Sequence, residues 1–105
     1  MNDLTDRYRN SNFYLEKALA LIPTGSQTFS KSRYALPEKV SPLFLEQGKG
    51  CRVRDIDGNE YIDYISGLLS ISLGYQDPDV DEAVKQQLSK GVSFSLSTLL
   101  EQELA

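Results

Sequence analysis

Apolar side chains recur at two different spacings along the chain, and the spacing predicts where helices and strands lie. Over residues 3–22 they return at every third or fourth position, which is typical of an amphipathic helix. A weak polar interruption falls at residues 10–12, and Pro23 ends the pattern. We therefore predict one leading helix over residues 3–22.

A β-hairpin is predicted in the middle of the chain. Two runs rich in β-branched and aromatic residues, Cys51–Ile56 and Glu60–Ile65, flank the reversal Asp57-Gly58-Asn59. Gly58 can adopt the positive φ that a primed turn requires. Because an isolated hairpin is only marginally stable, we expect the run Pro42–Glu46 to add a third strand.

The clearest helix of the chain is predicted to begin after Asp77. That residue is a good N-cap, Pro78 suits the first helical position, and Gly91 is the expected C′ residue. One apolar stripe follows the cap and comprises Val80, Ala83, Val84 and Leu88. The pattern predicts an amphipathic helix that packs on one side.

The segments on either side of this helix carry weaker signals. Periodicity leaves Ser66–Tyr75 open between strand, short helix and extended segment, and its apolar character predicts that it is buried. Val92–Ser97 alternates apolar and polar positions like an extended segment. Thr98 and Glu101 have the spacing of a capping box, which predicts a final helix.

An irregular segment, Gly25–Pro42, separates the first helix from the hairpin. It concentrates hydrogen-bond donors suited to a carboxylate or a phosphate: Ser26, Gln27, Thr28, Ser30, Lys31, Ser32 and Arg33. Long loops in small chains are either linkers or functional loops. The spacing alone favours a solvated loop over a binding loop.

Composition excludes several classes of function. The 105 residues are 40% hydrophobic and 25% charged, and the chain is one domain at most. With a net charge of −4, it lacks a basic surface that would attract nucleic acids or anionic membranes. No run approaches the ~20 apolar residues of a membrane span, and the N-terminus lacks a signal-peptide core. A cytoplasmic location is the default expectation.

Catalysis by the commonest nucleophile arrangements is also excluded. Histidine is absent, so these residues cannot form a Ser-His or Cys-His pair or the usual zinc sites. The single cysteine, Cys51, opens a predicted strand and is interpreted as a small packing residue.

Acidic and amide side chains that resemble calcium ligands gather in the hairpin: Asp55, Asp57, Asn59 and Asp63. If Gly58 took the sixth position of a calcium loop, the first and last ligands would be Val53 and Tyr64, which cannot bind the ion. We therefore predict no metal site and interpret Asp55 and Asp63 as surface and strand-end charges.

The end of the sequence bears on its completeness. It stops at Ala105, about two turns after the Thr98 cap, without a C-cap or a polar tail. We expect the chain to be the N-terminal piece of a longer protein, the alternative being a complete protein that ends in a frayed helix.

Four sequence blocks, in order, carry a family resemblance: LIPTGSQTFSK, PLFLEQGKGCRVRDIDGNEYIDY, LGYQDPDVDEAV and GVSFSLSTLLEQELA. Together, from about Leu21 to Ala105, they resemble the N-terminal region of class III pyridoxal-phosphate aminotransferases, in the branch of glutamate-1-semialdehyde 2,1-aminomutases. A single block would be a weak signal. Four blocks in this order and at these separations are a strong one.

The resemblance implies an α+β N-terminal segment of a fold-type I homodimer. Its parts would be a leading helix (1–24), a substrate-side loop (25–42), and a small antiparallel sheet with the first helices (43–105). The family's cofactor lysine, its aspartate partner and its phosphate loop lie beyond Ala105. We therefore expect no catalytic residue in this chain, and pyridoxal phosphate, amino donors and carbonyl substrates to be partners of the full-length enzyme only.

The resemblance also suggests residues that approach the ligands. Lys31 matches the family's basic residue that binds the substrate carboxylate. Weaker candidates for lining the substrate pocket are Ser26, Gln27 and Leu68. Ser95 and Ser97 lie in the segment that approaches the cofactor of the neighbouring subunit, whereas Phe94 is interpreted as core packing.

Three positions depart from the aminomutase pattern. Lys31 replaces an arginine and cannot form the same bidentate fork. Leu68 replaces a tryptophan beside the substrate, and Tyr75 replaces a histidine. These departures favour a related aminotransferase that acts on another carbonyl compound, such as a sugar or keto-acid derivative.

Two function classes remain open. The favoured one is the opening segment of an aminotransferase or aminomutase, and the other is a stand-alone α+β interaction module without catalysis. In the first case the isolated chain should bind no pyridoxal phosphate and should expose the apolar faces of Leu68–Leu73 and Leu99–Leu104.

Overall fold

The computed structural model describes residues 3–105, which belong to two compact units. The first unit ends at Tyr75, and the second is Gln76–Ala105. In chain order the elements are α1 (Leu4–Arg7), α2 (Arg9–Leu21), two 3₁₀ turns (Phe29–Lys31 and Arg33–Ala35), β1 (Leu45–Lys49), β2 (Arg52–Asp55), β3 (Glu60–Ile62), the single turn α3 (Ser66–Leu69), α4 (Pro78–Leu88) and α5 (Leu99–Leu104). The α+β class predicted from the sequence is confirmed.

The first unit is built on a three-stranded antiparallel sheet in the order β1-β2-β3. Val53 in β2 faces Gly48 on one neighbour and Tyr61 on the other. The third strand exists, but it is Leu45–Lys49 and not Pro42–Glu46. Proline has no N–H to give to a ladder, so pairing begins only after it.

The hairpin is confirmed, but its turn is not of the predicted primed type. The N–H of Gly58 donates to the carbonyl of Asp55 at 3.0 Å, and the N–H of Asp55 donates to the carbonyl of Asn59 at 3.0 Å. Gly58 has φ +84°, whereas Asp57 and Asn59 have ordinary negative values. The connection is therefore a three-residue loop with one left-handed glycine, and not a primed turn.

The leading helix is broken at Tyr8, and not at residues 10–12. Tyr8 has φ −119° and ψ 31°, which separates α1 from α2. Its side chain is buried, and Tyr8 and Val53 are the buried apolar residues of the part that the structure describes. The break turns this aromatic ring inward. Burial of the ring depends on the hairpin, which lies about 50 residues away in sequence.

The second unit follows its local signals closely. The carboxylate of Asp77 accepts the N–H groups of Asp79 and Val80 at 3.1 Å each, and Pro78 opens α4. Gly91 has the expected positive φ of +100°. However, it lies one residue beyond C′, because Ser89 is the C-cap of the helix.

The last helix is capped as predicted, although the segment before it is not a strand. The N–H of Thr98 donates to Oε1 of Glu101 at 3.1 Å, which forms half of the capping box. Val92–Ser97 is a series of bends with Ser93 at φ +58°, so the alternation did not produce extended structure. No strand lies beside this segment to pair with it within Gln76–Ala105.

The segment Ser66–Tyr75 is not buried in this chain, although its apolar character alone predicted burial. Leu69 is 88% exposed and Leu73 is 72% exposed. Leu99 and Leu104 in α5 are equally open. The apolar faces that the isolated chain was expected to expose are thus exposed.

Across residues 3–105, no helix has both the length and the apolar character to cross a membrane.

Candidate functional site

The predicted substrate-side residues lie on separate segments of the first unit. Ser26 and Gln27 follow α2 in a series of bends, where Ser26 is half-buried and Gln27 is exposed. Lys31 is exposed at the end of the first 3₁₀ turn. Leu68 lies in α3 and is 47% exposed. The structure does not test whether these residues meet at one ligand, and their role stays a prediction.

The loop that carries Lys31 has a conformation held by its own polar groups. Thr24 donates its hydroxyl to the carbonyl of Ser26 at 2.8 Å, and Ser32 donates to the carbonyl of Phe29 at 2.7 Å. Ser32 is almost completely buried. The stretch predicted to be a solvated loop is therefore locally ordered, with the ammonium group of Lys31 facing solvent.

The candidate cofactor residues, Ser95 and Ser97, lie in the second unit. Both are exposed in the bends before α5. All six lysines of the chain are exposed as well. A lysine that forms a Schiff base is activated by desolvation or by a cationic neighbour. The exposed lysines lack that desolvation, and the roles of Ser95 and Ser97 at the cofactor stay predictions.

The strongest polar cluster of the first unit surrounds Asp55. This carboxylate is completely buried and accepts the N–H groups of Asp57 and Asn59 at 3.0 and 2.7 Å on Oδ1. Its Oδ2 accepts from the side-chain amide of Asn59 and the hydroxyl of Tyr61, each at 2.9 Å. The interpretation of Asp55 as a surface charge is wrong, because its oxygens hold the hairpin loop.

Tyr61 connects this cluster to the leading helices. Its hydroxyl lies 3.4 Å from that of Tyr8, at the break between α1 and α2. Burial, together with the hydrogen bonds to Tyr8 and Asp55, raises the pKa of Tyr61 far above that of a free phenol. The tyrosine is therefore a neutral donor at every pH of interest.

The hairpin loop also caps α2. The carboxylate of Asp57 accepts the N–H of Asn10 at Oδ1 and that of Ser11 at 2.9 Å at Oδ2. The residue at the N-cap position, Tyr8, provides no side-chain cap. An acceptor from the loop thus satisfies N–H groups that a helix leaves free at its start. This tertiary cap explains why α2 begins where it does.

A second carboxylate, Asp63, organises the turn after β3. Its Oδ1 accepts the N–H groups of Ile65 and Ser66 at 2.9 and 3.1 Å, and its Oδ2 accepts that of Gly67 at 3.0 Å. The hydroxyl of Tyr75 donates to the same Oδ2 at 2.6 Å. Asp63 was predicted to be a strand-end charge, and it is instead half-buried at the centre of four donors.

These contacts shift the pKa of both side chains of the pair. The hydrogen bond from Tyr75, followed by that from the N–H of Gly67, lowers the pKa of Asp63. The same bond to Asp63, aided by burial, raises the pKa of Tyr75. Both shifts favour the carboxylate as acceptor and the phenol as donor, so the pair persists at neutral pH.

The turn that Asp63 holds has an unusual backbone. All four residues of α3 have positive φ: Ser66 +50°, Gly67 +59°, Leu68 +59° and Leu69 +69°. Three of them are not glycine, and each such residue in the left-handed region costs about 1–2 kcal/mol. Such strain persists only where the surroundings over-determine it, and it is common at ligand sites.

Sequence reasoning missed the role of the two aspartates, although a local signal was present. An aspartate at the start of a turn commonly accepts the N–H groups two to four residues later. Asp55 precedes a loop that contains Gly58, and Asp63 precedes one that contains Gly67. Burial of the carboxylates depends on Tyr61 and Tyr75, whose positions the local sequence does not reveal.

The chain has clear relatives among known proteins. The family described as "Aminotransferase class-III" matches residues 34–105. The glutamate-1-semialdehyde 2,1-aminomutase 2 of Geobacillus thermodenitrificans is 42% identical over 98 residues, which cover 93% of this chain and 22% of that protein. The glutamate-1-semialdehyde 2,1-aminomutase of Natranaerobius thermophilus is 37% identical over 99 residues, 94% of this chain and 23% of that protein.

Solved structures agree with this relationship. An omega-transaminase from Sphaerobacter thermophilus superposes with a TM-score of 0.79 at 29% identity, covering 93% of this chain and 22% of that one. A glutamate-1-semialdehyde aminomutase from Pseudomonas aeruginosa PAO1 has a TM-score of 0.78 over 96% of this chain and 22% of that one, and its 21% identity supports the fold alone.

The chain spans about 22% of the length of these relatives and corresponds to their N-terminal region. Its α+β arrangement is that of the N-terminal segment of fold-type I pyridoxal-phosphate-dependent transferases. The resemblance found in the four sequence blocks is thereby confirmed. The chain belongs to the class III aminotransferase family.

Proposed function

We propose that this chain is the N-terminal portion of a pyridoxal-phosphate-dependent aminotransferase or aminomutase that transfers an amino group to a carbonyl substrate. The family match over residues 34–105 carries the proposal. The cofactor, when bound, supplies the electron sink for the reaction. Residues of the protein outside this chain hold it, and residues 1–105 contribute substrate contacts and covering surface.

Within this chain, Lys31 binds the substrate carboxylate, with Ser26, Gln27 and Leu68 beside it. This role is supported by the free ammonium group of Lys31, which is exposed on an ordered loop. The three ion pairs of residues 3–105 join other side chains. An ammonium group is a compact point charge, so it attracts a carboxylate without demanding a bidentate geometry.

Further parts of the proposal concern the assembled enzyme. It is a cytoplasmic homodimer in which Ser95 and Ser97 approach the cofactor of the neighbouring subunit. Its N-terminal region divides into a helix (1–24), a substrate-side loop (25–42) and a sheet with helices (43–105). The exposed apolar residues of this chain support the proposal that another protein surface covers them. Light scattering of the purified enzyme tests the dimer.

The substrate is proposed to differ from that of the aminomutases. Lys31, Leu68 and Tyr75 occupy positions where the family resemblance led us to expect arginine, tryptophan and histidine. A smaller aliphatic side chain at position 68 leaves room for a larger carbonyl compound, such as a sugar or keto-acid derivative. A panel of amino acceptors would contradict this if only glutamate 1-semialdehyde were converted.

The decisive experiment uses the protein made from the complete reading frame. We expect it to show the absorbance of bound pyridoxal phosphate and to transfer amino groups. The variant Lys31→Ala should raise the KM for a carboxylate substrate by about tenfold or more, because it removes one charge-assisted contact. Its kcat and cofactor absorbance should be unchanged.

Lys49→Ala, which also removes an exposed lysine of the first unit, is the matched control and should leave the KM unchanged. Equal KM values for Lys31→Ala and the wild type would remove Lys31 from the site. A reading frame that stops at Ala105, with a product that binds no cofactor, would support the alternative of an interaction module.

A further inference from the structure

Tyr75 is attached to the first unit at three places. Its N–H and carbonyl form a pair of hydrogen bonds with Gly50, both 2.8 Å long. Its ring packs so closely over Gly48 that a Cβ atom added there would lie 2.6 Å from Cγ of the tyrosine. Its hydroxyl then reaches Oδ2 of Asp63 at 2.6 Å. The phenol is thus held in one orientation, with its proton directed at one carboxylate.

Asp63 connects the hydroxyl of Tyr75 to the left-handed turn through hydrogen bonds. The carboxylate accepts the three consecutive N–H groups of Ile65, Ser66 and Gly67, and no other side chain of residues 3–105 bonds to those three groups. Backbone hydrogen bonds from Leu69 to Ile65 and from Ile71 to Ser66 also hold this turn, and Asp63 supplies its side-chain support. Leu68 and Leu69 come directly after these residues in sequence, and both side chains are exposed.

We infer that Tyr75 is a positioning residue that, through the carboxylate of Asp63, holds the left-handed turn α3 and so presents Leu68 to the substrate. The presentation of Leu68 to the substrate rests on the proposed function, whereas the support of the turn by Tyr75 does not. Tyr75 contacts no reacting group in this inference. It acts by fixing Asp63, and Asp63 acts by fixing three N–H groups.

The test separates the hydroxyl of Tyr75 from its ring. Tyr75→Phe keeps the ring over Gly48 and the backbone bridge to Gly50, so the sheet should remain intact, and it removes only the donor to Asp63. Tyr64→Phe is the matched control, because Tyr64 is 88% exposed and its hydroxyl makes no hydrogen bond within residues 3–105. Asp63→Asn is a second variant that tests the other partner of the bond.

The first measurement is amide hydrogen exchange of residues 65–67 in the protein made from the complete reading frame. Loss of one hydrogen bond to a carboxylate should speed exchange there about tenfold in Tyr75→Phe. Asp63→Asn should speed it at least as much, and Tyr64→Phe should leave it unchanged. Unchanged exchange in Tyr75→Phe overturns the inference, whatever the activity of the protein.

The second measurement is steady-state kinetics. If Tyr75 had a purely structural role, its substitution would change KM and kcat differently. Tyr75→Phe should raise the KM about threefold or more, with kcat and cofactor absorbance retained, and Leu68→Ala should act in the same direction. Faster exchange with an unchanged KM overturns the inference, because the turn would then not face the substrate. A wild-type protein that binds no pyridoxal phosphate refutes the proposed function, and the exchange measurement still decides whether Tyr75 holds the turn.

Discussion

The carboxylate of Asp55 lies wholly out of solvent, and four donors of the hairpin converge on it. A buried carboxylate is tolerable only when its oxygens are satisfied, and here each oxygen accepts two bonds. Removal of the acceptor leaves several half-buried donors without that partner, and an unpaired polar group costs more free energy than a hydrogen bond contributes. Asp55 is therefore the residue on which the hairpin loop depends.

Asp55→Ala should lower the free energy of unfolding by about 3 kcal/mol, because the donors of Asn59 and Tyr61 lose their acceptor. Urea titration followed by circular dichroism measures the change. The control is Asp6→Asn, which removes an exposed ion pair with Arg9 and should stay within about 0.5 kcal/mol of the wild type. Equal stabilities for the Asp55 variant and the control would contradict the assigned role.

Asp63 should make stability depend on pH in the acid range. The Tyr75 hydroxyl holds the pKa of the folded carboxyl below its ordinary value of 3.8. A group with a lower pKa in the folded state stabilises the fold above its unfolded pKa and loses that contribution as the pH falls through the folded value. The Tm should therefore fall when the pH is lowered from 5 toward about 3.

Asp63→Asn should shrink that fall in Tm, since the amide does not titrate. Glu103→Gln, a change at an exposed carboxyl of α5, should retain it. Thermal unfolding at a series of pH values distinguishes the two variants. An Asp63→Asn profile as steep as that of the wild type would show that other carboxyls cause the acid sensitivity.

Gly48 provides the space that Tyr75 occupies. Gly48→Ala should cost about 1–3 kcal/mol, because the added Cβ would lie 2.6 Å from a ring that its backbone bridge prevents from moving. Combining Gly48→Ala with Tyr75→Ala should remove most of this extra cost, and a double-mutant cycle measures it. Additive effects of the two changes would show that glycine is required there for another reason.

At the scale of elements, sequence signals predicted those structures whose determinants lie within a few residues. Asp77 and Pro78 correctly located the start of α4, and Thr98 with Glu101 located that of α5. The break at Tyr8 could not be predicted in the same way. Its causes, the burial of that ring and the carboxylate of Asp57, depend on residues that are distant in sequence.

The same distinction explains the sheet and the candidate site. The β-hairpin was predictable from one Asp-Gly reversal, whereas the start of β1 depends on where β2 pairs with it. Lys31 was one of several donors noted in its loop, but the substrate roles of Lys31 and Leu68 came only from family resemblance and stay predictions, because a solvated lysine and an exposed leucine have no distinctive local pattern. The left-handed α3 escaped prediction, since Ser, Leu and Leu do not favour positive φ.

The cap that Asp57 supplies joins two elements, and its loss should act on α2. Asp57→Ala should reduce stability by about 1 kcal/mol and lower the helical circular dichroism signal, because Asn10 and Ser11 lose their acceptor. Asp57→Asn should cost less, since its amide oxygen still accepts one of the two N–H groups. Identical losses in the two variants would contradict a capping role for that remaining oxygen.

At the scale of the whole molecule, the balance between buried and exposed apolar residues is unusual. Tyr8 and Val53 are buried, while large apolar side chains are exposed in both units, including Leu69 and Leu73 in the first and Leu96, Leu99 and Leu104 in the second. Soluble monomers rarely expose extended apolar patches unless another surface covers them. The proposed remainder of the enzyme is such a surface.

The isolated 105-residue chain should therefore bind a hydrophobic reporter dye and show no absorbance of bound pyridoxal phosphate. The protein made from the complete reading frame should bind the cofactor and give several-fold less dye fluorescence per chain, because the additional residues cover these faces. Leu69→Gln and Leu104→Gln should lower the dye signal of the isolated chain without lowering its Tm, since these side chains are 88% and 90% exposed and contribute little to packing. If the isolated chain melted cooperatively as a monomer with no dye response, its apolar faces would be satisfied internally, and the proposal that it needs a covering surface would be wrong.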